Sequence, residues 1–170
     1  LAASRALPGK KSEPVAVDLV QAARHVAERH QTTAGEKGLE FLLELPEQAL
    51  IVEAGPDSLD RILENLVSNA IKYTPPGGRV SIVVRREEEQ ALVQVADTGI
   101  GIPRAALEKL GQEFYRAPNA RKFEPTGTGL GLAIAQDLVR TLHGSLAIQS
   151  EEGQGSLFSV RLPCRRPGPA

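Results

Sequence analysis

Apolar positions along the chain follow two periodicities, and their alternation sets out the fold. Between Asp57 and Gly78, residues Leu59, Ile62, Leu63, Leu66, Val67, Ala70 and Ile71 recur at steps of three and four, the period of an amphipathic helix. At about 100° per residue they fill one half of a helical wheel. Asp57 is the expected N-cap of this helix, and Pro75-Pro76-Gly77-Gly78 its stop. An earlier helix is expected from Asp18, as cap, through Leu19, Ala22, Ala23, Val26 and Ala27 to about His30, followed by a polar loop from Gln31 to Gly38. A later one carries Leu130, Ala133, Ile134, Leu138 and Val139 and ends at His143-Gly144. Leu39 to Leu45 and Leu50 to Glu53 are short apolar runs broken by Pro46 and read as strands. Val80 to Val84 and Ala91 to Val95 flank the turn Glu87 to Gln90 as a hairpin, and Leu146 to Ser150 with Ser156 to Leu162 form another. A short helix, Ala105 to Leu110, follows Pro103; Gly111 to Pro125 has no sustained apolar period and reads as a mobile loop, a lid. Strands in pairs between helices predict an α+β fold, a two-layer α/β sandwich whose one mixed sheet is covered on one face by helices.

Composition changes this picture little. A chain of 170 residues predicts one domain with ample core. Its net charge of -1 gives no general attraction to nucleic acid or to an anionic membrane, and no apolar run approaches the length of a membrane span. The single cysteine, Cys164, excludes an internal disulfide and fits a reducing, cytoplasmic compartment. Methionine is absent, so the chain reads as a piece of something longer.

Candidate chemistry lies on the flank of the central helix that is neither apolar nor simply charged: Asn65, Asn69, Lys72 and Tyr73. A carboxamide offers an oxygen to a hard cation and an NH2 to a phosphate. A lysine one turn on adds a point charge suited to phosphate. A solvated helix flank is the other reading of these residues. Asp97, after a strand and before Thr98-Gly99-Ile100-Gly101-Ile102-Pro103, is either an Asx-turn residue or an acceptor for an exocyclic amine. Gly127, Gly129 and Gly131 precede a helix, where backbone N–H groups attract phosphate. A dinucleotide fingerprint needs a parallel βαβ unit, and here a lid precedes the glycines. The Gly-Lys-Ser/Thr of a P-loop is missing as well.

Taken together, Asn65–Asn69–Lys72–Tyr73, the DTGIGIP segment Asp97 to Pro103 and the GTGLGL segment Gly127 to Leu132 resemble the ATP-binding domain of sensor histidine kinases. That domain belongs to the larger group that includes gyrase, mismatch-repair and heat-shock-chaperone ATPases. The resemblance covers roughly residues 14–163 and implies the Bergerat fold with a mobile ATP lid. It implies ATP and Mg2+ as cofactors. Asp97 would bind adenine N6, with Gly99, Gly101 and Ile102 beside base and ribose and the Ser156 hydroxyl near the same Asp. Asn69 would hold Mg2+, with Asn65 its partner, Lys72 a phosphate contact and Tyr73 an aromatic against the nucleotide. Gly127, Thr128, Gly129, Leu130, Gly131 and Leu132 would border the phosphates, and Phe114-Tyr115-Arg116 matches a lid motif that brings Arg116 toward the γ-phosphate.

Two positions differ from the family pattern. Gly111 and Gln112 stand where a further lid aromatic is common, and Thr126 where a further glycine is. Gyrase and chaperone branches have a water-activating Glu where Asn65 stands; an amide takes no proton, so the resemblance implies ATP held without fast hydrolysis. None of His25, His30 and His143 is followed by the acidic residue of the family's phosphoacceptor, and His25 and His30 read as a solvated helix end.

The expected organisation is a linker and remnant of an upstream dimerisation helix at 1–14, the ATP-binding domain at 15–163 and a disordered tail at 164–170. The expected function is donation of the γ-phosphate to a histidine on that dimerisation domain, with a response regulator downstream. The fragment is expected to be a monomer with no membrane contact of its own, from a parent that is cytoplasmic or membrane-anchored. The alternatives are an anti-sigma-type serine kinase of the same fold and a nucleotide-sensing module without transfer activity.

Overall fold

The structure is a computed structural model and describes residues 13–166. Residues 1–12, most of the stretch read as linker and helix remnant, and 167–170, most of the tail, lie outside them. In chain order the elements are β1 (Val15–Asp18), α1 (Leu19–Glu36), β2 (Glu40–Glu44), β3 (Ile51–Ala54), α2 (Ser58–Lys72), β4 (Arg79–Glu87), β5 (Gln90–Asp97), α3 (Arg104–Leu107), α4 (Pro118–Phe123), α5 (Gly131–Thr141), β6 (Ser145–Glu151) and β7 (Gly155–Pro163).

Helix α2 forms where the period of three and four places it, and all seven of its apolar residues are at most 5% exposed. They pack, with Ala23, Val26 and Ala27 of α1 and Val139 of α5, on Val80, Ile82, Val84, Val93, Val95, Val160 and Leu162 of the sheet. That sheet has five strands in the order β2-β4-β5-β7-β6, with β2 and β4 parallel and the other neighbours antiparallel. Its other face carries the polar ladder Arg85, Gln94 and Ser159. The α+β sandwich expected from the sequence is therefore present.

Its details differ in four places. First, no strand was expected before Leu39, yet β1 pairs antiparallel with β3, Val15 opposite Ala54 through Asp18 opposite Ile51. This ribbon takes β3 out of the expected single sheet. Four residues are too few to show a period, and the partner is distant in sequence. Second, α1 runs to Glu36, past the expected end near His30. Ala34 is fully buried and resumes the apolar face, so packing overrides the poor helix propensity of Thr32, Thr33 and Gly35. Third, Asp57 stands at the N-cap of α2 without a side-chain capping bond. Fourth, the lid segment contains α4, begun by Pro118 at the first helical turn, where a missing N–H costs nothing.

The far end also departs from expectation. Cys164 N–H donates to Glu89 and Arg165 N–H to the Ile51 carbonyl, while Arg165 pairs with Glu53 and Arg166 with Glu89. Residues 164–166, assigned to a tail by their composition, are held by groups far away in sequence.

Asp18 ties α1 to the β1–β3 ribbon. Its Oδ1 accepts from Val20 N–H at 3.0 Å, as an N-cap, and from Leu50 N–H at 3.2 Å beside β3. Asp18→Ala is expected to cost about 1–2 kcal/mol, by loss of the cap and an unpaired Leu50 N–H. Asp18→Asn should cost less than half of that. Urea unfolding at constant m-value checks both.

Candidate functional site

The third flank of α2 faces a cleft. Asn69, Lys72, Tyr73, Asp97, Gly101, Ile102, Arg116, Gly127, Thr128, Gly129, Gly131, Leu132 and Ser156 all line it. Its walls are α2, the loop after β5, the lid, the start of α5 and the first residues of β7. Asn65, Gly99 and Leu130 are not among the lining residues. Asn65 Oδ1 lies 3.1 Å from where a Cβ on Gly131 would be, so the N-terminus of α5 sits directly on the Asn65–Asn69 flank. Leu130 is the residue before α5, its N–H turned to Thr128 Oγ1 at 3.3 Å.

Asp97 ends β5 and makes the Asx-turn that its sequence allowed. Its Oδ1 accepts from Gly99 N–H at 2.9 Å, an Asx-turn, while the residue also lines the cleft. Burial pushes its carboxyl above the usual carboxylate range, against the opposing pull of the Gly99 and Ser156 backbone N–H groups. The glycines that follow are also required by the chain's own packing. A Cβ on Gly99 would lie 2.4 Å from the Tyr73 carbonyl, and one on Gly101 2.0 Å from that of Glu151. The loop is clamped between the end of α2 and the β6–β7 turn, by Ile100 N–H to Tyr73 O and Gly153 N–H to Ile100 O.

Two cations converge opposite this loop. A Cβ on Gly127 would meet Lys72 Nζ at 2.8 Å and the Arg116 guanidinium carbon at 3.1 Å. Lys72 Nζ lies 5.4 Å from the Tyr73 ring centroid, and Arg116 donates to the Tyr73 hydroxyl at 3.0 Å. Arg116 also binds the Ala120, Glu124 and Pro125 carbonyls, so here it organises the lid instead of pointing freely into the cleft. The Glu124 carboxyl is held below its usual range by the Thr126 hydroxyl, with Lys72 and Arg116 adding attraction. Phe114 is 69% exposed with a left-handed backbone, its N–H donating to the Gly129 carbonyl.

Glu64, the neighbour of Asn65, faces α1. It accepts from Arg29 at 3.1 Å and lies 2.8 Å from His30 Nε2. His30, read as a solvated helix end, has a side chain only 15% exposed. No carboxylate of α2 is thereby offered to the cleft at the Asn65 position.

Sequence reasoning missed Lys37 and Asn119. Lys37 Nζ donates to the Ile71 and Lys72 carbonyls at 2.7 and 2.9 Å, capping the end of α2, and lies 5.7 Å from the Phe123 ring centroid. Burial lowers its pKa. Asn119 of α4 donates to the Gly101 carbonyl at 2.8 Å and fastens the lid to the loop. The partners of Lys37 are 34 and 35 residues away, a distance at which no local pattern marks it.

Among the described residues no three His, Cys, Asp or Glu gather to hold a metal. A cation at Asn69 would take one carboxamide oxygen and complete its shell with phosphate oxygens and water. That donor set fits Mg2+, which keeps water and binds through few protein ligands plus substrate phosphates.

Comparisons with known proteins point to one family. The model of the histidine kinase-, DNA gyrase B- and HSP90-like ATPase family matches residues 54–166. The sensor histidine kinase WalK of Bacillus subtilis is 40% identical over 149 residues, covering 86% of this chain and 24% of that protein. RppB of Synechocystis is 47% identical over 105 residues, covering 62% of this chain and 23% of its own length. The chain thus spans about a quarter of these relatives. Among solved structures, the mycobacterial sensor histidine kinase MprB superposes with a TM-score of 0.79 at 28% identity, over 89% of this chain and 99% of the other. The catalytic domain of the histidine kinase ThkA gives 0.75 at 26%, over 89% and 95%. With the cleft on α2 and a family match over most of its length, this chain belongs to the histidine kinase-, DNA gyrase B- and HSP90-like ATPases.

Proposed function

We propose that the chain is the catalytic ATP-binding domain of a two-component sensor histidine kinase. The observation that carries this is the meeting of Asn69, Lys72 and Asp97 in one cleft with the start of α5. Asp97 accepts the exocyclic amine of adenine, Ser156 beside it, and Gly101 and Ile102 form the adjoining wall. Tyr73 lies against the nucleotide. The phosphates run past Gly127, Thr128 and Gly129 to the backbone N–H groups around Leu130, Gly131 and Leu132, with Lys72 and Arg116 supplying positive charge. Asn69 would hold Mg2+, and Asn65, one turn earlier, supports that flank. The metal would supply charge neutralisation to the phosphates.

Catalysis on this reading is positioning and charge neutralisation. The imidazole nitrogen of a histidine on the dimerisation domain attacks the γ-phosphorus; a P–N bond forms, the bridging P–O bond breaks, and ADP leaves. The phosphoryl group then passes to an aspartate of a response regulator. Asn65 takes no proton, and Glu64 is engaged by Arg29 and His30, so water is not activated in competition. Among the described residues no helix is long and apolar enough to cross a membrane.

The test mixes the chain with radiolabelled ATP and a separately made dimerisation domain. Label on that domain's histidine is expected; rapid release of free phosphate would instead mean an ATPase. Asn69→Ala is expected to remove the Mg2+-dependent part of ATP affinity, about tenfold. Its unfolding free energy should change by less than about 0.5 kcal/mol. Equal Mg2+ dependence in both proteins would take the metal away from Asn69.

A further inference from the structure

Ser150, near the end of β6, sits at the centre of three close contacts. Its Oγ accepts from Ile102 N–H at 2.9 Å. It lies 2.8 Å from the Gly155 carbonyl oxygen and 2.7 Å from Ser156 Oγ. Each of the two oxygen–oxygen contacts needs a hydrogen between its atoms, since two bare lone pairs at that distance repel. The Gly155 carbonyl has none to give. Ser150 has one, and it must go to that carbonyl. The hydrogen between the two serines therefore comes from Ser156. Ser150 then uses one donor and two acceptor sites, the full capacity of a hydroxyl.

The consequence falls on the cleft. With its only hydrogen turned to Ser150, Ser156 shows lone pairs alone to a ligand. Asp97, which lines the same wall and stands opposite Ser156 in the β5–β7 ladder, is an acceptor when ionised. We infer that Ser150 is a positioning residue for base specificity: it fixes the Ser156 hydroxyl as an acceptor, so that the wall takes a 6-amino purine and rejects a 6-oxo purine. This rests on the adenine-nucleotide reading above. Adenine brings two N–H hydrogens at position 6 to the acceptors; hypoxanthine brings a carbonyl oxygen there and leaves acceptors facing an acceptor.

Ser150→Ala releases the Ser156 hydrogen, which then donates to a 6-oxo group. The readout is the ratio of the ITP to the ATP dissociation constant, measured by calorimetry for each variant with Mg2+ present. Ser150→Ala is expected to lower that ratio about tenfold, roughly one hydrogen bond gained by ITP. Ser150→Thr, which restores the hydroxyl, should return it to the wild-type value. The double variant Ser150→Ala/Ser156→Ala has no hydroxyl to donate and should keep most of the discrimination. A purely structural role for Ser150 weakens both nucleotides alike through the freed Ile102 loop. An unchanged ratio in Ser150→Ala, or equal relaxation in the double variant, overturns the inference while leaving ATP binding intact. A wild-type chain that binds neither nucleotide overturns the adenine reading itself.

Discussion

Asp97→Asn is expected to weaken ATP binding about ten- to a hundredfold and to raise the melting temperature at neutral pH. The first effect comes from one oxygen. Asn keeps an acceptor for Gly99 N–H, so the turn survives. On the proposed adenine contact, its other atom becomes an NH2 that meets the adenine amine donor to donor. A hydrogen bond to a charged group contributes about 1.5–3 kcal/mol, which sets the range.

The second effect follows from burial. The folded-state pKa of Asp97 is raised, with desolvation the largest cause. A carboxyl raised in this way stabilises the fold most below the ordinary carboxylate range, and that contribution is lost as pH rises through the raised value. At neutral pH the charged form is therefore a cost, which Asn removes. The stability gap between variant and wild type should close as pH falls through the carboxylate range, and wild-type ATP affinity should fall with it. Melting curves and calorimetry across that range check both effects. A variant that melts lower than wild type at neutral pH, with no convergence on acidification, would show that Asp97 holds the fold together instead of serving the ligand at its expense.

The same division between local and distant causes decides what the sequence discloses. Helix α2 is fully legible because its burial is written in its own period; every apolar residue picked from the pattern is in the core. The hairpins β4–β5 and β6–β7 are legible because each pairs with its sequence neighbour. What stays hidden depends on partners far along the chain. β1 exists only because β3 is there to pair with it, and α1 continues past His30 only because Ala34 meets the core. The cleft divides likewise. Asn65, Asn69, Lys72 and Tyr73 are readable as one arc of one helix. Lys37, Asn119 and Ser150 act by bonds to other segments and carry no spacing of their own. The glycines stand out in the sequence, but the crowding that requires them at Gly99 and Gly101 comes from backbone segments no local pattern marks.

That crowding makes Gly101→Ala one of the most damaging small substitutions expected among the described residues. Gly101 has φ +67, and its Cβ would lie 2.0 Å from the Glu151 oxygen, 2.7 Å from the Glu151 carbonyl carbon and 2.9 Å from Glu152 Cα. All three are backbone atoms where β6 runs into the β6–β7 turn, and they cannot swing aside as a side chain does. The left-handed conformation costs a non-glycine residue about 1–2 kcal/mol, and forced displacement of packed groups about 1–3 more. A total of about 2–5 kcal/mol is expected in urea unfolding.

Gly77→Ala is the control. It has a similar positive φ, +90, but nothing within 4 Å of its Cβ, so only about 1–2 kcal/mol is expected there. The difference between the two variants isolates the contact from the dihedral. It also has a functional edge, because pushing the turn away from Gly101 strains the Ile102–Ser150 bond and the Gly153–Ile100 bond together. Gly101→Ala should therefore lose ATP affinity at temperatures where it is still folded, whereas Gly77→Ala should keep it. Equal losses of stability in the two, with ATP affinity intact in both, would mean that the β6–β7 turn yields without resistance and does not hold the loop after β5 in place.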